Sequence, residues 1–177
     1  MEAVLNFWFK ELTPKDWWKK SDELDALIKQ RFEEIHQQAI HGELYLWRNT
    51  PEGRLAEIIV LDQFSRNIYR NDPRSFMYDS LALILAQECT ASGDDQKLEE
   101  SKRSFVYMPF MHSESLVIHD YAVDLYTKLG SAESLKFETS HRDIIVKFGR
   151  YPHRNEILGR DSTAEEIEFL QNPGSSF

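Results

Sequence analysis

Apolar residues recur at three- and four-residue steps along most of the chain, which is the spacing of one face of an α-helix. The segment from Ser21 to Gly42 shows this spacing most clearly. Its apolar stripe consists of Leu24, Leu27, Ile28, Phe32, Ile35 and Ala39. Serine is a residue type that caps helix starts, and glycine is the type that most often follows helix ends. The pattern therefore predicts an amphipathic helix over this segment.

The same spacing predicts further helices along the rest of the chain. They are a short aromatic helix at 2–12, a buried helix from Thr50 to about Asn67, helices opening at Asp72 and at Ser113, a helix over 131–148, and a last one behind a capping box at Ser162–Glu165. Residues Phe105–His112 are predicted to form a compact aromatic loop. No alternating run of apolar and polar residues is long enough for a strand. The prediction is an all-α fold in which sequence-adjacent helices pair antiparallel and stack.

Composition supports one compact domain. The chain has 177 residues, of which 41% are hydrophobic, so it can bury a core of ordinary size. It has only 7 glycines and 6 prolines, which argues against a β-sandwich or barrel, since those folds need many tight turns. We predict a single domain over residues 1–171, followed by a flexible C-terminal tail at 172–177.

The charge is acidic overall and basic in one place. The net charge is −9, which disfavours binding to nucleic acid or to an anionic membrane surface. Residues 141–160, however, hold five Lys/Arg and two Asp/Glu. A basic patch on an acidic protein indicates a small anionic ligand more than a polymer.

Cysteine usage and the termini indicate the compartment. The one cysteine, Cys89, excludes an internal disulfide and a cysteine-based metal site. The N-terminus lacks the basic region and long apolar run of a signal peptide. No stretch approaches the ~18 apolar residues of a membrane span. We expect a cytoplasmic protein with no cofactor.

Polar residues interrupt the predicted buried faces of three helices. Asp62 and Arg66 share one face four residues apart with the acid first, the favourable order for an ion pair. Glu114 lies one turn before Ile118 in a predicted first turn, where free backbone N–H groups favour a carboxylate. His141 shares a face with apolar residues of the helix over 131–148.

Buried ions need partners, because an unpaired one costs several kcal/mol. These side chains either satisfy one another in a structural network, or line a pocket whose arginines bind a carboxylate or phosphate. The residues of the predicted pocket are Arg66, Asn67, His112, Glu114, His141, Arg150, His153 and Arg154. No metal site is predicted, because pairs such as His112 and Glu114 are two residues apart and point to different sides of a helix.

Several segments resemble an uncharacterised bacterial family known as domain of unknown function 924. They are Leu61–Asn67, Tyr107–Glu114, Phe148–Asn155 and Leu158–Arg160. The resemblance covers nearly the whole chain, from Phe7-Trp8-Phe9 to Ser162–Leu170. It implies a tetratricopeptide-like right-handed bundle or superhelix and no established reaction. By fold analogy alone, such proteins bind peptides or partner proteins in a concave groove.

Three functions stay open at this level. The first is a binding domain whose polar pocket holds a small anionic ligand or an anionic group of a partner. The second is an enzyme on a small anionic metabolite, with Glu114 or His141 as acid or base. The third is a peptide-groove adaptor, for which the pocket is irrelevant. Trp17 and Trp18 are adjacent, so one helix face cannot bury both, and one of them is a candidate partner contact.

Overall fold

A computed structural model describes residues 1–175 of the chain. Helices and turns account for these residues, with no strand among them, so the predicted all-α class is confirmed. The α-helices, numbered in chain order, are α1 (Glu2–Asn6), α2 (Pro14–Trp18), α3 (Asp22–Ile40), α4 (Pro51–Ile59), α5 (Ser65–Ile68), α6 (Arg74–Met77), α7 (Asp79–Ala91), α8 (Glu100–Met111), α9 (Leu116–Leu129), α10 (Ala132–Phe148) and α11 (Ala164–Leu170). The remaining helical turns are of the 3-10 type at Tyr45–Asn49, Asp95–Lys97 and Pro152–Arg154, and of the π type at Phe7–Glu11 and Val60–Phe64. Within residues 1–175, no helix is both long enough and apolar enough to cross a membrane.

Side-chain caps explain where the longer helices begin. The N–H of Leu24 donates to Ser21 Oγ at 3.3 Å ahead of α3, and that of Gly53 donates to Thr50 Oγ1 at 3.1 Å ahead of α4. Pro51 follows the second cap, where its missing N–H has no intrahelical partner to lose. The predicted helix starts at Ser21 and Thr50 are confirmed.

The prediction of an aromatic loop at Phe105–His112 is wrong, because α8 continues to Met111 and contains Pro109. A proline inside a helix costs about 3 kcal/mol, since it removes a hydrogen bond and crowds the preceding turn. Tyr107 and Phe110 are 1% and 0% exposed. Burial of each large apolar side chain contributes about 1.5–3 kcal/mol, so packing outweighs the local cost of the proline.

Two further helix starts differ from the prediction by a few residues. The helix predicted to open at Ser113 begins at Leu116, and Ser115 is its N-cap residue. The last capping box lies one residue later than predicted and joins Thr163 to Glu166. The N–H of Thr163 donates to Glu166 Oε2 at 2.8 Å, and the N–H of Glu166 donates to Thr163 Oγ1 at 3.2 Å.

The chain folds as two compact units. The first unit comprises Met1–Arg70 and Arg74–Pro109, and the second comprises Asn71–Pro73 and the residues from Phe110 onward. The single domain over residues 1–171 therefore stays a prediction.

The predicted flexible tail lies partly outside the described residues, because it includes Ser176 and Phe177. Within the described part, Ser175 is 5% exposed, and its hydroxyl donates to the Leu170 carbonyl at 3.1 Å.

Aromatic side chains fill the core of the first unit. The rings of Phe7 and Phe64 both contact Phe32, with centroids 5.0 and 4.9 Å from it. Helix α3 packs against α5 and against the π turn at Val60–Phe64, and α4 packs against α7. The helix predicted from Thr50 to about Asn67 is thus present as α4, a π turn and α5 in succession.

The second unit is built on the α9–α10 pair. Gly130 and Ser131 alone connect these two contacting helices, which makes them antiparallel neighbours. Gly130 adopts φ +85°, a conformation that an L side chain rarely adopts, so glycine permits this tight reversal. Ile144 and Ile145 of α10 pack with Tyr151 in a buried hydrophobic cluster.

Candidate functional site

Arg66 and Asn67 lie in the first unit, whereas the other six predicted pocket residues lie in the second. The predicted ion pair between Arg66 and Asp62 is confirmed, with Nη1 3.2 Å from Asp62 Oδ1. The same guanidinium donates to both carboxylate oxygens of Asp79, at 2.9 and 3.0 Å. Asp62 is 1% exposed and sits in the π turn, so Arg66 compensates a buried charge there.

Asn67 is held in a separate polar contact of the first unit. Its side-chain amide donates to Asp25 Oδ1 at 2.8 Å. Arg70 forms a bidentate pair with the same carboxylate, through Nε and Nη2. Asp25 thereby links the first turn of α3 to the end of α5, which is a structural role.

Glu114 is paired to Arg160 rather than placed in a first helical turn as predicted. It precedes Ser115, the N-cap residue of α9, and its carboxylate forms a bidentate pair with Arg160 Nη1 and Nη2, at 2.7 and 2.9 Å. The N–H of Tyr151 also donates to it at 2.8 Å. Burial alone would raise the pKa of Glu114, but the Arg160 and Tyr151 hydrogen bonds and the charges of Arg154 and Arg160 outweigh burial and lower it.

Arg150 is engaged in a second bidentate pair, with Glu166 of α11. Its Nε and Nη2 donate to the two carboxylate oxygens at 2.7 and 2.8 Å. The hydrogen bond from Arg150, followed by that from the backbone of Thr163, lowers the pKa of Glu166 to about 2, against the smaller effect of burial. Arg150 therefore anchors the start of the last helix.

The remaining predicted residues surround one buried tyrosine. Tyr151 is 0% exposed, and its ring centroid lies 5.9 Å from that of His141 and 5.5 Å from that of His153. The guanidinium carbon of Arg154 lies 4.6 Å from the same ring centroid. We call the following set the Tyr151 cluster: Tyr151, His112, His119, His141, His153 and Arg154.

His141 is a neutral imidazole of assignable tautomer. Its Nδ1 lies 2.7 Å from the Phe137 carbonyl, which can only accept, so Nδ1 carries the proton and Nε2 does not. Burial lowers the pKa of His141 to about 3, opposed by the Phe137 hydrogen bond and assisted by the neighbouring imidazoles of His112, His119 and His153. At neutral pH this side chain therefore contributes no charge.

Arg154 is buried, with 6% of its surface exposed, and Nη2 donates to the His112 carbonyl at 3.0 Å. That bond fixes the guanidinium against the segment between α8 and α9. The imidazoles of His112 and His153 are half-buried, so they are the members of the Tyr151 cluster that reach solvent.

Sequence reasoning missed His119 and its partner Glu138, which are both 0% exposed. His119 Nδ1 lies 2.7 Å from Glu138 Oε1, and His119 Nε2 lies 2.8 Å from the Ser113 carbonyl. Because that carbonyl only accepts, Nε2 carries a proton. Tyr151 Oη donates to the Met111 carbonyl and lies 3.2 Å from His119 Nε2, so it accepts from that N–H.

The burial of His119 could have been predicted from helical spacing. This residue lies three residues before Ala122 and seven before Tyr126, and all three are buried on one face of α9. The apolar spacing predicted a buried stripe of Ile118, Tyr121, Ala122, Leu125 and Leu129. Ala122, Leu125 and Leu129 are buried as predicted, but Tyr121 is 47% exposed and His119 is buried in addition.

The sequence of the chain matches a bacterial family. The sequence profile of a family described as "Bacterial protein of unknown function (DUF924)" matches residues 4–174. The chain belongs to this family. The DUF924 resemblance drawn from the residues is thus confirmed. A comparison with curated proteins finds no match.

A solved structure supports the same fold. The chain is 37% identical to a protein of unknown function from Agrobacterium tumefaciens, over 96% of each chain, with a TM-score of 0.91. Family membership and this likeness establish an all-α DUF924 fold, and neither description states an activity.

The contacts of the predicted pocket residues limit the chemistry that these residues can perform. Within residues 1–175, no group of three or more His, Cys, Asp or Glu side chains is arranged to hold a metal ion. Arg66, Arg150 and Arg160 each hold a carboxylate of the chain itself. Within the predicted pocket, the Arg154 guanidinium and the His153 imidazole both lie against the ring of Tyr151, and their N–H groups are of the kind that bind anions.

Proposed function

We propose that the chain is a binding domain for a small anionic ligand, held by the Tyr151 cluster of the second unit. The observation that carries the proposal is the convergence of His141, His153 and Arg154 on one buried ring. The Arg154 guanidinium and the His112 and His153 imidazoles would supply the N–H groups from which a carboxylate or phosphate accepts. The N–H of His141 is already donated to the Phe137 carbonyl. The proposal is narrower than the predicted pocket, because Arg66 and Asn67 belong to the first unit.

The local charge favours an anion. The charges of Arg154 and Arg160 both act on Glu114, so two guanidinium groups face this carboxylate. Residues 141–160 hold five Lys/Arg and two Asp/Glu. The half-buried His112 and His153 give a ligand its route of approach. A small ligand suits such a site better than a polyanion, since the whole chain carries −9.

A thermal-shift experiment with inorganic phosphate and succinate tests the proposal. A ligand at about 100 times its Kd adds about 2.7 kcal/mol of apparent stability, equivalent to about 5–10 °C for a chain of this size. We expect a rise in Tm for the wild type and its loss in Arg154→Gln and His153→Gln. The matched control is Arg142→Gln, because Arg142 pairs with Asp120 at the surface of the same unit, with Nη2 2.7 Å from Oδ1.

Two outcomes of this thermal-shift experiment would contradict the proposal. If neither anion raises Tm at tens of millimolar, or if Arg142→Gln and Arg154→Gln reduce the shift equally, the cluster does not bind anions and its role is structural.

A second function, an enzyme with His141 as general base, is favoured by one observation. His141 carries its proton on Nδ1, which leaves Nε2 unprotonated. A bound anion would raise the pKa of His141 from about 3 towards the range in which a general base is effective. Glu114 suits acid or base chemistry less well, because Arg160 and Tyr151 hold it as a carboxylate. The test follows ligand discovery: His141→Gln should then abolish turnover of that ligand while leaving its Kd within a few-fold.

The proposal extends to the finer fold and location. A tetratricopeptide-like stacking of helix pairs is supported by the antiparallel α9–α10 pair with its two-residue connection. A cytoplasmic location is supported by cysteine usage, because Cys89 is buried as a free thiol.

A further inference from the structure

An exposed tryptophan marks a second surface, in the first unit. Trp18 is 65% exposed, whereas Trp8 is 1% exposed and Trp17 and Trp47 are partly buried. Tryptophan is the largest apolar side chain, and its exposure leaves a transfer free energy of a few kcal/mol unused. The prediction that the adjacent Trp17 and Trp18 cannot both be buried is confirmed.

Local structure holds the Trp18 ring in place. Helix α2 is fixed at its start by Pro14 and by a capping box in which the N–H of Thr13 donates to Asp16 Oδ2 at 2.7 Å. One face of the Trp18 ring is stacked on Phe105, with centroids 6.4 Å apart and planes 6° apart. A ring held in this way loses little conformational entropy when a partner binds, which is a property of interface hot spots.

Four lysines surround this ring in sequence: Lys10, Lys15, Lys19 and Lys20. All four are exposed, and within residues 1–175 none has a carboxylate within ion-pair distance. The two acids of the same segment are already engaged. Glu11 is held by both terminal nitrogens of Arg31, at 2.5 and 3.0 Å, and Asp16 by the Thr13 cap. Lys19 acts on Asp16 through its charge, and the segment from Lys10 to Lys20 holds four lysines against Glu11 and Asp16.

We propose that Trp18 with these lysines, the Trp18 surface, docks an acidic peptide segment of a partner protein. The segment would place one aromatic or aliphatic side chain on the Trp18 ring and flanking Asp or Glu side chains against the lysines. Charge complementarity supports this occupant, since the four lysines are exposed and outnumber the two acids between Lys10 and Lys20. The surface is independent of the Tyr151 cluster.

Two other occupants fit less well. A single-stranded nucleic acid needs a continuous basic track, but Asp22 and Glu23 are exposed directly after Lys20. A membrane surface needs an apolar face of several side chains. Here Trp17 is tied inward, with Nε1 donating to the Trp8 carbonyl at 2.9 Å, so only one ring of the pair can insert.

Fluorescence anisotropy of labelled synthetic peptides tests the Trp18 surface. The probes are nine-residue Asp/Glu peptides with one central Leu or Phe, together with the same peptides lacking that anchor. We expect the anchored peptides to bind, Trp18→Ala to weaken binding at least tenfold, and Lys19→Gln with Lys20→Gln to weaken it several-fold. The matched control is Lys29→Gln, because Lys29 is exposed on α3 and pairs with Glu33 at 3.9 Å.

Several outcomes would overturn the proposal. The first is the absence of peptide binding with a Kd below about 1 mM, and the second is equal peptide binding by Trp18→Ala and the wild type. The third is tighter binding of oligo-dT or of phosphatidylserine vesicles than of the peptides. The fourth is a dimer in solution that Trp18→Ala converts to a monomer. The last result would assign the surface to a second copy of this chain. Trp18 is mostly exposed, so its variant should fold, and circular dichroism checks this.

Discussion

Removal of the Glu138 carboxyl group should strongly destabilise the second unit. Glu138→Ala leaves His119 Nδ1 buried without its 2.7 Å partner and opens a cavity between α9 and α10. The unpaired imidazole nitrogen costs about 1–3 kcal/mol and the cavity costs about 2 kcal/mol more, so the total is about 3–5 kcal/mol. For a chain of this size each kcal/mol lowers Tm by about 2–4 °C, so the expected fall is about 6–20 °C.

Glu138→Gln distinguishes a neutral carboxyl–imidazole pair from an ionic carboxylate–imidazolium pair. Burial raises the pKa of Glu138, against the lowering effects of His119 and Arg142. We predict that the Glu138 carboxyl group carries a proton and donates it to His119 Nδ1, because His119 Nε2–H already donates to the Ser113 carbonyl. A glutamine N–H can replace that donor, so Glu138→Gln should cost only about 1 kcal/mol.

Urea denaturation at pH 7, followed by tryptophan fluorescence and by circular dichroism, measures both variants. Coincidence of the two signals checks that a single transition is being compared. A cost below about 1 kcal/mol for Glu138→Ala would refute the buried pair, since about 3 kcal/mol is the minimum expected from the unpaired nitrogen and the cavity. Equal costs for the Gln and Ala variants would refute the proton assignment and indicate an ionic pair instead.

Three further predictions concern other parts of the chain. Gly53→Ala should destabilise by about 1–3 kcal/mol in urea although alanine favours helices, because its Cβ would lie 1.9 Å from the Trp47 carbonyl oxygen. His141 has a folded pKa of about 3 against 6.5 in the unfolded chain, so its stabilisation is present above pH 6.5 and is lost as the pH falls towards 3. His141→Gln should therefore reduce the pH slope of the unfolding free energy between pH 6 and 4 by about 1.4 kcal/mol per pH unit. Arg150→Gln should raise the pKa of Glu166 from about 2 towards 4.5, measured by carboxyl carbon NMR, and an unchanged titration would contradict the pairing.

Much of the helical architecture follows from local rules that a single sequence displays. The Ser21 cap and the three- and four-residue apolar spacing predicted α3, observed as Asp22–Ile40. The helix predicted over 131–148 is observed as α10, between its N-cap Ser131 and its C-cap Gly149. These signals act over one helical turn, so no knowledge of distant contacts was required.

Long-range packing explains the failures. Pro109 is tolerated inside α8 only because the side chains around it are buried in the assembled fold. The π turn at Val60–Phe64 inserts extra backbone into a helix without any residue type that signals it.

The candidate site shows the same division between local and distant information. The sequence singled out Glu114 and His141 as polar residues on predicted apolar faces, and both are held in polar networks. Their partners could not be predicted, because Arg160 lies 46 residues from Glu114 along the chain. Only the fold decides which arginine meets which carboxylate.

Imidazole NMR of the six histidines tests the central claim, anion binding at the Tyr151 cluster, most directly. The ring 1H–15N signals are recorded while inorganic phosphate is added at constant pH and ionic strength. The account predicts saturable shifts of His112, His141 and His153, with His36 in the first unit and the exposed His41 unchanged. Shifts confined to His41, or no saturable shift at the cluster, would contradict it and leave these side chains a structural network.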